Sequence, residues 1–306
     1  MRFPTNFTLL FSMVITLLVS SSPTIGQDLQ LGGISVTRFP SAKVKDSPLN
    51  REIEVNEYNF FLNVPKKLKN EKTILINGLQ YRLVTSFADN DIMLGIDGQN
   101  LHLVGYRLTI LHKLKHDWAA LLNVNPVLSS TFNTQIEGDD FLFNGSLLFV
   151  KKKSDRFSYG GGVVFTSRFG DPILLPILQL TFTSQKGKFQ VLLPRRITYD
   201  HYYKRFTIGL KAEVDGSLYN VNYSRTSPLD ELQPVNKIAY TRVVFGPNIS
   251  YRVGKVIQLK ASGGITVGQS MELQSELFED EKYQVDNGSF LQFGISIVPP
   301  KKTNDL

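Results

Sequence analysis

From Phe206 to Val214 the apolar side chains fall at every second position: Phe206, Ile208, Leu210, Ala212 and Val214 alternate with Thr207, Gly209, Lys211 and Glu213. The same period of two returns in Ile257, Leu259, Ala261, Ile265 and Val267 against Gln258, Lys260, Ser262, Thr266 and Gly268. It returns again in Leu291, Phe293, Ile295 and Ile297 against Gln292, Gly294 and Ser296. Successive side chains of a strand point to opposite faces, so each stretch predicts a strand with one apolar face and one small, polar or charged face. No segment after the N-terminal region approaches about 18 consecutive apolar residues, which excludes a spanning helix there. If such a chain enters a membrane it must do so as a closed barrel, because lipid cannot satisfy the unpaired groups of a sheet edge.

Alternation alone also fits a soluble sandwich or a lipocalin-like cup, and the connections separate the readings. Strands are predicted near residues 32–39, 51–64, 73–85, 100–112, 117–126, 140–151, 157–167, 173–183, 188–195, 205–214, 217–225, 237–253, 256–268 and 289–298. Short turns at Lys66–Lys72, Lys113–His116, Lys152–Arg156, Ser184–Gly187, Asp215–Gly216 and Gly254–Lys255 alternate with longer loops. The longer ones are Pro40–Asn50, Ser86–Gln99, Val127–Asp139, Arg225–Asn236 and Gln269–Gly288, with moderate ones after Arg168 and Arg196. Short periplasmic turns facing longer outer loops are the pattern of an up-and-down membrane barrel. The fold class expected is therefore all-β: an antiparallel up-and-down transmembrane β-barrel of about 14 strands, with about 12 as the fallback count. A soluble periplasmic β protein is the competing reading.

Residues 1–26 have the zones of a secretory signal: Arg2, an apolar run from Leu9 to Leu18, then small and polar residues with Thr24 and Gly26 ahead of a cleavage point near Gln27. The apolar run falls short of the ~20 residues a spanning helix needs. Cleavage leaves 306 − 26 = 280 residues as one barrel domain, and loss of Arg2 lowers the formal charge from +7 to +6. The chain has no cysteine, so an exported protein of this sequence has no disulfides and depends on hydrogen-bonded closure. Export makes nucleic acid a poor partner for the positive charge; anionic lipid and lipopolysaccharide are the expected ones, with the barrel-assembly machinery met on the way.

Charge sorts by end. The short turns carry Lys66, Lys67, Lys69, Lys72, Lys113, Lys115, Lys152, Lys153, Lys186 and Lys255, while Asp89, Asp91, Asp97, Glu137, Asp139, Asp140, Asp230, Glu231, Glu276, Glu279, Asp280 and Glu281 fall in the longer loops. Basic groups beside anionic headgroups gain roughly 1 kcal/mol each. Tyr159, Phe182, Tyr199, Tyr202, Tyr203, Tyr219, Tyr223, Tyr240 and Tyr251 cluster near strand ends, where aromatic girdles are expected.

The run from Leu101 to Val221 contains Lys115-His116-Asp117-Trp118, then Gly160-Gly161-Gly162-Val163-Val164-Phe165-Thr166-Ser167-Arg168-Phe169-Gly170, then Asp171-Pro172-Ile173-Leu174-Leu175-Pro176. Val191-Leu192-Leu193-Pro194 and Ile197-Thr198-Tyr199 follow. This ordered set resembles an outer-membrane β-barrel family known chiefly as a domain of unknown function. The resemblance implies an outer-membrane location in a Gram-negative bacterium and supplies no catalytic residues. The last strand also resembles a barrel-assembly signal in Gln292, Gly294 and Ile297, although Pro299–Leu306 follow where that signal ends on an aromatic residue.

Enzymatic chemistry finds little purchase. None of His102, His112, His116 and His201 is followed two positions later by serine, as the outer-membrane phospholipase pattern requires. His112 and His116 flank a turn rather than sharing a helix face, and neither acidic loop cluster has calcium-loop spacing. Gly160–Gly162 reads as a place where strands approach closely, not as a phosphate cradle. No enzyme, cofactor or metal is expected. With the apolar faces turned to lipid, Arg107, Gln179, Lys211, Glu213, Gln258 and Lys260 face the lumen. They are the expected lining of a pore or transport barrel for small solutes; the alternative is a ligand-binding, partner-binding or structural barrel with a closed lumen.

Overall fold

The computed structural model describes residues 29–45, 52–88, 100–226 and 232–300. The expected signal at 1–26, the loop residues Asp89, Asp91, Asp97, Asp230 and Glu231, and the chain beyond Pro300 lie outside the described residues. Five strands open the chain: β1 (Gly32–Lys43), β2 (Glu52–Lys67), β3 (Thr73–Ala88), β4 (Asn100–Lys113) and β5 (Trp118–Ser130). After a single 3-10 turn at Gly138–Asp140 come β6 (Phe141–Lys152), β7 (Phe157–Thr166), β8 (Ile173–Thr183), β9 (Gly187–Leu193) and β10 (Arg196–Tyr203). The last are β11 (Phe206–Thr226), β12 (Leu232–Val253), β13 (Ile257–Gln274), β14 (Glu281–Val285) and β15 (Gly288–Ile297).

Each strand pairs antiparallel with its predecessor until β13, where the ladder splits. Ile257 to Thr266 pair with β15 and Gln269 to Leu273 with β14, so β14 and β15 are stacked halves of one wall position. Positive φ at Gly268 marks the break. β15 then pairs with β1, Gly32 opposite Ile297, and closes the sheet. Fifteen strands thus fill fourteen positions of a closed antiparallel barrel, and closure removes the edges that an open sheet would leave unpaired.

The outer surface settles the soluble alternative. Phe293, Leu291, Ile208 and Leu210 are 63%, 53%, 50% and 48% exposed, and the side chains of Arg242 and Glu57 inside are 5% and 4% exposed. A water-soluble barrel would have the reverse arrangement, and exposed apolar residues occur on every strand of the lower wall, far beyond an ordinary surface patch. Aromatic rings gather at the short-turn rim: Phe157 stacks on Phe182 with centroids 4.5 Å apart, and Phe206 lies 4.7 Å from Tyr251.

The wall is uneven. β9 and β10 have 7 and 8 residues, whereas β11, β12 and β13 have 21, 22 and 18. At about 3.3 Å per residue, β12 runs far beyond the ~25 Å apolar band. Its upper half and that of β11 belong to a second, narrower ring. There β11 pairs parallel with β5, Asn220 opposite Ser130, and bypasses β6 to β10. Ser129 donates to the Leu218 carbonyl at 2.7 Å, and the Asn220 amide donates to Asp140 at 2.9 Å. The inside of this ring is filled by an apolar cluster of Val44, Ile53, Val84, Leu101, Tyr219, Val221, Val235, Ile238, Met271 and Leu273.

Three strand expectations need correction. Asp215–Gly216 is not a turn but the middle of β11, the loop expected after Arg196 is the strand β10, and the loop expected at Gln269–Gly288 contains the end of β13 and the whole of β14, which pair with each other. The first two errors cancel in the strand count. Asp-Gly reads locally as a turn, but Asp215 is held in a ladder by guanidinium groups from β3 and β12. Four aromatic residues also leave the girdle: Tyr219 is fully buried, Tyr240 stacks on it at 6.1 Å inside the barrel, Tyr223 packs against the core of the upper ring, and Tyr202 lines a lumen cavity.

The glycine run on β7 packs backbone to backbone. A Cβ on Gly162 would collide with the Leu147 carbonyl and Leu148 Cα, main-chain atoms that cannot swing aside, whereas one on Gly161 would meet nothing nearer than 3.6 Å. Gly162→Val is therefore expected to part β6 from β7 and abolish the mobility difference between boiled and unboiled samples on a gel. Gly161→Ala should retain it, and equal behaviour of the two variants would refute the close approach.

Candidate functional site

The lumen has two regions. The lower is a cavity of about 1910 Å³ reaching the short-turn end, bordered there by Thr183–Gln185, Lys204, Arg205, Gly254 and Lys255. Strands β8 to β13, β15 and β1 supply its wall, and alternation sends their polar side chains inward. Lys188, Arg196, Lys211, Arg252 and Lys260 line it with the turn cations; among the described lining residues the carboxylates are Asp200 and Glu213. Lys211 Nζ donates to Gln292 at 3.0 Å and lies 5.2 Å over the Phe290 ring. Gln292 in turn donates to Thr37 at 2.9 Å, and Gln258 donates to Ser250 at 2.9 Å.

Above it lies a barrier of ion pairs. Arg82 on β3 donates to Asp215 at 3.5 Å and Ser217 at 3.0 Å on β11, to Tyr240 at 3.3 Å and to Asn59 at 3.0 Å. Arg242 on β12 pairs with Glu57 on β2 and with Asp215 at 3.2 Å, while the Tyr240 hydroxyl donates to Glu57 at 3.0 Å. Counted through β2, β1, β15, β13 and β12, β3 stands six positions from β11 in the ring of fourteen. The Arg82–Asp215 contact thus joins nearly opposite walls. Charges so buried are tolerable only because each has several partners; removal of one partner strands the others at a cost of about 3–5 kcal/mol. The Arg242 guanidinium also stacks 3.5 Å over the Phe39 ring, which belongs to a separate apolar cluster with Val244 and Phe290. An apolar cavity of about 80 Å³ lies between Phe39 and Arg242 on one side and Val84, Leu101 and Met271 of the upper ring on the other.

A third group lies beside the low wall. Arg195 occupies the short connection between β9 and β10, its side chain 53% exposed, and pairs at 3.5 Å with Glu213 of the lower cavity. Arg107 on β4 donates to Gln80 at 2.5 Å. Arg168 opens the loop after β7; burial first, then the positive charges of Arg195 and Arg82, push its guanidinium down to about 10, with Asp215 opposing and Arg107 adding to the push.

Of the residues singled out from sequence, Lys211, Glu213, Gln258 and Lys260 border one cavity. Arg107 lies outside it, and Gln179 stands on β8 opposite Gly160. The sequence reading omitted Glu57, Arg82, Asp215 and Arg242. Alternation carried the signal for Glu57, since Tyr58, Phe60 and Leu62 occupy the opposite, exposed face. Asp140, grouped with the acidic loop, is buried; its carboxylate accepts from the Glu137 amide at 2.8 Å as well as from Asn220.

A family model described as a domain of unknown function (DUF6268) matches residues 34–298. Among solved structures, a deltaS2 mutant of the TodX monoaromatic hydrocarbon channel is 11% identical, with a TM-score of 0.39 over 92% of this chain and 93% of that one. The Pseudomonas putida toluene transporter TodX is 11% identical, with a TM-score of 0.34 over 92% and 93%. The translocator domain of the autotransporter NalP from Neisseria meningitidis is 11% identical, with a TM-score of 0.30 over 95% and 96%. No curated protein matches the chain.

Proposed function

We propose that this chain, which belongs to the DUF6268 family of unknown function, is an outer-membrane transport barrel for small solutes, closed in this conformation by its ion-pair barrier. Residues 1–26 direct its export and are removed; the short lysine-bearing turns face the periplasm, and lipid and lipopolysaccharide surround the apolar belt after insertion by the barrel-assembly machinery. The observation that carries the reading is the cavity of about 1910 Å³ that runs from the short-turn end up to Glu213, two residues along β11 from Asp215 of the barrier. A purely structural barrel has no use for so large a polar volume. A barrier of ion pairs, unlike an apolar core, can exchange partners with water and with a charged solute as it opens. The packed upper ring favours a second reading, a barrel that binds solute in its lower cavity and passes none.

Solute flux into vesicles carrying the purified barrel separates the two. Transport predicts flux above that of empty vesicles once the barrier has been removed by substitution, and Lys260→Glu in that background, which reverses a charge bordering the cavity, should shift the preference between anions and cations toward cations. If folded protein leaks no more than empty vesicles even after the barrier has been removed by substitution, transport is refuted and the binding barrel stands.

A further inference from the structure

We infer that Arg107, Arg168 and Arg195 form a binding site for a small oxyanion, a carboxylate or a phosphate, at the inner end of the lower cavity. The inference deepens the transport reading by naming the class of solute. Three observations carry it. The first is the disposition of carboxylates in the middle of the lumen: Glu57 and Asp215 are engaged by Arg82 and Arg242, and Glu213 is shared at 3.5 Å with a half-exposed Arg195. Among the described residues no carboxylate lies within ion-pairing distance of Arg107 or Arg168, and the only side-chain partner of Arg107 is the neutral amide of Gln80. The second is proximity. Gln80, the partner of Arg107, stands two residues before Arg82 on the same face of β3, and Arg82 contacts Asp215 on β11. Glu213, two residues before Asp215, holds Arg195, and a Cβ on Gly216, the residue after Asp215, would stand 2.6 Å from the Arg168 carbonyl. Arg168 accordingly feels the positive charges of Arg195, Arg82 and Arg107, with Asp215 opposing. Like charges gathered away from bulk water repel one another and are relieved by an anion between them.

The third is access. Glu213 borders the lower cavity and holds Arg195, so the cluster adjoins the cavity's inner end. The cavity below has cations along its wall and at its mouth, with Asp200 and Glu213 as the carboxylates among its described lining, an arrangement that concentrates anions and steers them inward. The cluster is made of arginine, whose planar fork matches two oxygens of a carboxylate or phosphate at once. Gln80 holds the fork of Arg107 in place, and the short connection after β9 and the loop after β7 bring the other two from the low side of the wall.

The test is calorimetric titration of the purified barrel in detergent with inorganic phosphate and, separately, with succinate, ionic strength being balanced by chloride. Saturable binding of either is expected, weakened roughly tenfold or more in Arg168→Gln and in Arg107→Gln and unchanged in Lys115→Gln, a turn residue outside the cavity. Binding of phosphate alone or of succinate alone supports the site and identifies its source. Arg168→Lys keeps the charge but loses the fork, and its weakened binding supplies the same evidence if the glutamine variant fails to fold. The site is overturned if neither anion binds, or if folded Arg168 and Arg107 variants bind as the unaltered protein does. Binding by the unaltered protein, with no flux in vesicles even after the barrier has been removed, would leave the site standing and refute transport.

Discussion

Planar bilayers containing the double variant Arg82→Ala with Asp215→Ala are expected to show resolved conductance steps where the unaltered barrel passes little or no current. The two side chains meet from nearly opposite walls, and Asp215 also holds Arg242, so their joint loss removes the bridge across the lumen and loosens the Glu57–Arg242 pair beside it. The double substitution is the informative one because it is neutral in charge. Asp215→Ala alone would leave Arg82 and Arg242 facing each other with one fewer counter-charge and should cost about 3–5 kcal/mol in stability, which confuses opening with unfolding. Closure of the wall itself depends on main-chain ladders, so the double variant should keep its heat-modifiable band. A folded double variant as silent as the parent would show that the lumen is closed by something other than this bridge; a parent that already conducts as strongly as the variant would show that the bridge closes nothing.

Adjacent positions on β11 should respond in opposite ways to polar substitution. Leu210 points outward at 48% exposure near the middle of the lower wall, and Lys211 points inward to Gln292. Leu210→Arg places a charge in the hydrocarbon and is expected to cost about 2–4 kcal/mol in folding experiments in lipid. Lys211→Gln exchanges one hydrogen-bonding group for another within an aqueous cavity and should cost no more than about 1 kcal/mol. Folding equilibria in urea with lipid vesicles measure both. Tolerance of arginine at 210 comparable to that of glutamine at 211 would mean that this face does not meet lipid, and the assignment of inside and outside would have to be reversed.

These two tests address different parts of the protein, one legible in the sequence and one not. Strand identity and facing were readable because the period of two is a local property: β1, β4, β8 and β15 begin within a residue of where alternation places them, and the same alternation turns Lys211, Glu213, Gln258 and Lys260 inward. β10 was readable in principle, since Ile197, Tyr199 and Tyr203 alternate with Arg196, Thr198 and Tyr202, but its charges and the proline before it imitate a loop. Asp215–Gly216 misleads in the other sense. Nothing within β11 indicates that the carboxylate of Asp215 is neutralised by Arg82, which lies 133 residues earlier.

The sequence by itself determined the class of the molecule, an antiparallel up-and-down β fold whose strands each have one apolar and one polar face, because alternation and turn spacing are additive local signals. That the apolar face is the outer one was settled against the soluble alternative by the exposure of the closed wall. The tertiary structure decided what the lumen is. The inward bend of β11 and β12 over the short strands β6 to β10, the packed upper ring, the ion pairs between opposite walls and the gathering of Arg107, Arg168 and Arg195 all depend on which distant strands face one another across the barrel. That relation follows from strand number, stagger and the unequal heights of the wall, and no single strand contains it.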